Sequence, residues 1–101
     1  MTDTADIGLP RLSEEDIERL AEECEAEVTR YITRIIPPKS ISDMIVVCSL
    51  ELNEGLHLSI DVDLNQKYDT GVSLDDVVEQ AVAHGAAWLE KVLREMKVNE
   101  H

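Results

Sequence analysis

Residues 51–64 read ELNEGLHLSIDVDL, and leucine, isoleucine or valine falls on every second position around Asn53-Glu54-Gly55. A period of two is the signature of a strand with one buried side. An abrupt Gly-containing break between two such runs marks a hairpin with a three-residue loop. With Gly55 as the left-handed residue of that loop, the register follows by counting outward. Leu52 faces Leu56, Leu50 faces Leu58, Cys48 faces Ile60, Val46 faces Val62, and Met44 faces Leu64. All of these point to one side, and a slip of one residue would turn the whole set into water. The opposite side pairs Glu51 with His57, Ser49 with Ser59, Val47 with Asp61 and Ile45 with Asp63.

A greasy sheet face requires a cover, and the flanking segments supply two. Before the hairpin, Ile17, Leu20, Ala21, Cys24, Val28, Tyr31, Ile32 and Ile35 recur in steps of three and four, which predicts one helical stripe. Ser13 and Asp16 form a capping-box pair at its start, with Leu12 and Ile17 as a hydrophobic staple. Pro37 and Pro38 end it. After the hairpin and a loop over 65–72, Val72, Ser73, Asp76 and Val77 repeat the same opening device. The second stripe follows: Leu74, Val77, Val78, Ala81, Gly85, Trp88, Leu89, Val92 and Met96. Gly85, Ala86 and Ala87, with Ala81 and Ala83, make this helix thin and suited to close packing on the sheet.

The order is therefore α-β-β-α, an α+β fold in which no helix lies between the strands. Both helices are expected on the same face of the antiparallel hairpin. Residues 10–98 form the single domain, with 1–9 as a disordered N-terminus and 99–101 as a frayed C-terminus.

Charge narrows the function classes. Twenty-two acidic side chains oppose 9 basic ones, a net charge of −13. Nucleic acid and anionic membranes are bound by clusters of Lys and Arg, and here the bases are scattered among acids. The apolar run MIVV at 44–47 is far too short to span a bilayer. The first residues lack the basic start and apolar core of a signal peptide. Cys24 and Cys48 form no CxxC pair and read as reduced, buried thiols. Together these predict a cytoplasmic protein without nucleic-acid binding or membrane insertion.

The residue types that could carry chemistry gather on the outer sheet face, where Glu51, His57, Asp61 and Asp63 share a side. A flat sheet spreads such groups apart, whereas a hard cation needs oxygens that converge. Glu51 beside His57 reads as an exposed cross-strand ion pair, because acid–base catalysis also needs a concave pocket and a substrate anchor. His84 reads as a boundary histidine, satisfied at the edge of its helix's apolar stripe. No GxGxxG, GxxxxGK[ST], GxSxG or HExxH motif is present. The sequence thus predicts no catalytic residues, no metal and no cofactor. Ile45 and Val47 stand out instead, as aliphatic residues on the otherwise polar face. A two-stranded sheet has only edges, and edges invite another chain. The expected interaction surface is Ile45, Val47, Asp61, Asp63, Glu51 and His57. Its partner would be another protein, or a second copy joined as a homodimer through the exposed strand edges.

The segments LSEEDIERLAEECEAEVTRYI, IPPKSISDMIVVCSLEL, LHLSIDVDL and VVEQAVAHGAAWLEKVLREM resemble a family of small acidic archaeal proteins classed as a domain of unknown function. Pro37, Ile41, Asp43 and the Ala-rich second helix are the more specific features. The resemblance implies a helix–hairpin–helix arrangement and an archaeal cytosolic setting, and it brings no activity. The outline also looks like the topological-specificity domain of the division-site protein MinE, which dimerises. Three readings result: a non-enzymatic interaction or adaptor module, a division-site regulator of the MinE type, and a small metal-assisted or acid–base enzyme using the outer face.

Overall fold

Ser13 opens the first helix, α1 (Glu14–Ile35), with a complete capping box: Asp16 N–H donates to Ser13 Oγ at 3.1 Å and Ser13 N–H donates to Asp16 Oδ2 at 3.0 Å. The Ser13 backbone bond, chiefly, holds the Asp16 carboxyl below the usual carboxylate range. In the computed structural model, residues 11–98 are described, and the expectations for 1–9 and 99–101 lie outside them. A single 3₁₀ turn (Pro38–Ser40) links α1 to strand β1 (Ile41–Leu52); β2 (Leu56–Gln66) and α2 (Leu74–Val98) follow. The fold is α+β, in the order α-β-β-α.

The two strands pair antiparallel in the expected register, from Leu52 opposite Leu56 to Met44 opposite Leu64. Beyond Met44 the ladder shifts between Ile41 and Asp43. Strict alternation would turn Ile41 to the outer face. The bulge reverses that parity, and Ile41 packs on the core along with Met44. At the tip, Glu54 holds the left-handed conformation with φ +56°, while Gly55 sits at φ +133°. Gly55 thus takes the positive φ expected of it, and Glu54 before it does so as well.

α1 lies against β1, α2 lies against β2, and the helices touch each other. Cys24, Val28, Ile32 and Ile36 from α1 and its exit meet Cys48, Leu64, Val77 and Ala81 in one cluster. Each Val, Leu or Ile side chain of this cluster removed from water contributes about 1.5–3 kcal/mol. Two expected core members differ. Ile35 is 38% exposed, and its neighbour Ile36 is fully buried in its place. Ile36 precedes Pro37, which disfavours helical backbone there, so it leaves the helix at φ −106°, ψ 124° and swings inward. Leu52 is half exposed, because it stands at the hairpin tip.

Gly85 is buried where α2 comes close to both α1 and β2. A Cβ there would stand 2.7 Å from Val28 Cγ2 and 3.0 Å from Ile60 Cδ1. Ala81 is buried too, but Ala83, Ala86 and Ala87 are exposed, so only part of the small-residue row serves packing. At the other end of the hairpin, the fully buried Ser40 ties the turn to β2. Its Oγ donates to the Pro37 carbonyl at 2.7 Å and accepts from Gln66 Nε2 at 3.2 Å, while its carbonyl accepts from Lys67 N–H at 2.6 Å.

Candidate interaction face

Alternation along β1 and β2 carries Ile45, Val47, Glu51, His57, Asp61 and Asp63 to the side of the hairpin opposite the core. All six are exposed. Ile45 lies opposite Asp63 and Val47 opposite Asp61, so the two aliphatics sit side by side with a row of carboxylates next to them. Ile45 is 57% exposed and Val47 43%, although both are large aliphatics. The segment 41–66 contains Asp43, Glu51, Glu54, Asp61 and Asp63 and no Lys or Arg. The face is therefore an apolar centre in a field of one sign.

Glu51 and His57 face each other in the ladder, yet they do not form the expected ion pair. The His57 ring turns to the hairpin tip, where Nε2 lies 3.0 Å from the Asn53 carbonyl oxygen. A backbone acceptor within the tight turn is nearer than a flexible carboxylate across the strands. Asp63 accepts a long 3.4 Å bond from Asn65 Nδ2. Among the described residues, no three His, Cys, Asp or Glu side chains are grouped to hold a metal ion. Nor is any helix among them long and apolar enough to cross a membrane.

Two polar arrangements were not visible in the sequence. The first joins the helices. His84 Nε2 lies 3.1 Å from Glu27 Oε1, the His84 ring stacks on Tyr31 at 4.9 Å, and Tyr31 Oη donates to Gln80 Oε1 at 3.3 Å. Arg30 bonds the other oxygen of Glu27. His84 is thus the satisfied boundary residue expected, but its partner came from a helix 57 residues away in the chain. The second arrangement lies at the free side of β1. Cys48 N–H donates to Glu25 Oε2 at 3.0 Å, so a helix carboxylate occupies a strand-edge donor. An open groove lined by Glu22, Glu25, Ala26, Thr29, Met44 and Val46 runs beside it.

The thiols are shielded, as expected. Cys24 Sγ approaches the Gly85 carbonyl at 3.8 Å, and burial, with the neighbouring Cys24 adding to it, pushes the Cys48 thiol up to about 12.

The family model described as "Protein of unknown function (DUF3194)" matches residues 9–92. This chain belongs to the DUF3194 family. Over 90 residues it is 29% identical to the uncharacterised protein TK0644 of Thermococcus kodakarensis, covering 89% of this chain and 83% of that one. The uncharacterised protein PH0533 of Pyrococcus horikoshii is 24% identical, again over 90 residues, which are 89% of this chain and 78% of its own. A crystal structure from Thermococcus onnurineus NA1 superposes with a TM-score of 0.74 at 27% identity, covering 92% of this chain and 90% of that one. The solution structure of the hypothetical protein mth677 from Methanothermobacter thermautotrophicus gives a TM-score of 0.71 at 21% identity, over 84% and 92% of the two chains. The α-β-β-α arrangement of this DUF3194 chain is therefore shared with solved archaeal proteins.

Proposed function

We propose that this protein is a non-enzymatic protein–protein interaction module, an adaptor or accessory subunit working in the cytoplasm. The observation that carries this reading is the pair Ile45 and Val47, set open to solvent in mid-strand beside Asp61 and Asp63. Apolar area surrounded by polar groups is the anatomy of a docking face, since the centre gains from leaving water and the rim keeps its hydration. The charge selects the partner's sign. A net charge of −13 with no Lys or Arg in the strands draws a basic surface and repels an acidic one. The outer carboxylates favour binding over catalysis: they face bulk solvent, and the His57 ring is engaged by a backbone carbonyl.

The test compares the wild type with the double variant Ile45→Glu, Val47→Glu as baits in native extract. A basic protein retained by the wild type in low salt, released by high salt and lost from the double variant supports the reading. Identical captures by both baits, with both proteins monomeric in sedimentation, would remove it.

A further inference from the structure

The free edge of β1 has a direction that its neighbours reveal. Asn53 N–H points across the hairpin to the Gly55 carbonyl, whereas Cys48 N–H points away from β2 to Glu25. Strand amides alternate, so the N–H groups of Val46 and Leu50 point outward in the same sense as that of Cys48. Beside this edge, α1 forms a wall on the core side of the sheet. Toward the base of the hairpin the groove has Met44 and Val46 as its floor and Glu22 and Glu25 in its wall. Toward the tip a second stretch is floored by Leu50 and Leu52, with Leu12, Ile17, Glu14 and Glu18 alongside. Glu25, which lines the first stretch, holds Cys48 N–H at the strand position between Val46 and Leu50.

We infer that the β1 edge receives an extended basic segment of the partner as a third strand, with Lys or Arg side chains facing the α1 wall and aliphatic ones facing outward. The inference rests on the interaction reading above and specifies how the partner docks. Backbone pairing supplies affinity without regard to sequence, and the alternating side chains supply the selection. On the core side, the aliphatic stem of a lysine covers Val46 or Leu50 while its ammonium reaches Glu22 or Glu18. On the outer side, the aliphatic positions fall in line with Ile45 and Val47 and extend that patch sideways. A strand carbonyl replaces Glu25 at Cys48 N–H and frees the Glu25 carboxylate for an incoming base. Until then Glu25 closes the middle of the edge, as charged groups commonly do at strand edges.

Charge decides against a second copy as the occupant. The wall carries Glu14, Glu18, Glu22 and Glu25 against Arg30, and each copy brings a net charge of −13. Pairing two such edges sets like charges together where solvent screening is weakest.

The probe is an acetylated and amidated peptide of seven residues alternating Lys and Val, titrated into the full-length protein and followed by NMR. The inference expects the amide resonances of Val46, Cys48 and Leu50 to shift. It expects at least a tenfold loss of affinity when every second peptide amide is N-methylated, and the same when Glu replaces Lys. Val46→Pro, tolerated at an outward-facing edge position, should weaken binding similarly. The methylated peptide keeps the test decisive if that variant is unstable. Equal binding of the methylated peptide, with shifts confined to the methyls of Ile45 and Val47, overturns strand addition and leaves the docking-face reading standing. Amide shifts at Val46 and Leu50 that follow protein concentration without peptide give the edge to a second copy and overturn it too. Absence of any shift at millimolar peptide overturns it as well. The bait comparison of Ile45 and Val47 variants judges the interaction reading separately.

Discussion

Glu27 and His84, from different helices, meet at 3.1 Å on the solvent side of the core. The hydrogen bond from His84 holds the Glu27 carboxyl below its usual range, against a smaller opposing effect of burial, and Arg30 adds to the lowering. A carboxyl whose folded pKa is depressed contributes stability above its unfolded value near 4.5, and that contribution is lost as pH falls through the folded value. Glu27→Gln should therefore lower stability at pH 7 by about 0.5–1 kcal/mol, the range of a partly exposed pair. Denaturant titrations at pH 7 and near pH 3 check this: the difference between the proteins should shrink at the acid end.

Gly85 sets two effects against each other. Alanine gains about 0.8–1 kcal/mol in intrinsic helix propensity. Its Cβ, however, would meet Val28 at 2.7 Å and Ile60 at 3.0 Å, and overpacking a core costs about 1–3 kcal/mol. Gly85→Ala should be destabilised on balance, with a lower Tm. The exposed neighbour Ala86→Gly should lose only the propensity contribution.

Glu54 occupies the left-handed region at φ +56°, where a side chain with a Cβ is strained by about 1–2 kcal/mol. Asparagine tolerates that conformation better. Glu54→Asn should raise stability by about 0.5–1 kcal/mol, read as a higher denaturation midpoint at an unchanged slope.

Ser40 is fully buried with its hydroxyl bonded to Pro37 and Gln66. Ser40→Ala leaves the Pro37 carbonyl without that donor and should cost about 1–2 kcal/mol. Faster hydrogen exchange at Lys67 N–H, which bonds the Ser40 carbonyl, would show the loosening at its source.

Both cysteines are buried and both thiols are pushed up by burial, Cys48 to about 12. Relative to an ordinary value of 9.0, that leaves Cys48 roughly a thousandfold less thiolate below pH 9. A thiol-reactive dye at pH 8 should label neither residue in the native protein and both in guanidinium. Rapid labelling of the native protein would contradict this packing.

The outer-face residues could be placed from sequence because strand parity is a local rule. Once Leu52 opposes Leu56, Ile45, Val47, Asp61 and Asp63 must share a side. What they do there was not legible in the same way. The expected ion pair between Glu51 and His57 gave way to a backbone bond at the turn, because side-chain direction depends on loop geometry that alternation does not specify. The edge groove escaped notice for a related reason. Glu25 reads as one more solvent-facing acid of an amphipathic helix until α1 is laid beside β1.

By itself the sequence determined the elements, the hairpin register and the inward face of each helix, since apolar periodicity and capping pairs act within a few residues of one another. Tertiary structure alone decided which helix carboxylate reached which distant group: Glu25 to Cys48 N–H, and Glu27 to His84. It also placed Ile36 rather than Ile35 in the core and turned Ile41 inward through a bulge. Periodicity states which face is buried, but the angle and offset at which two faces meet come from packing volume, and those offsets select the contacts between elements.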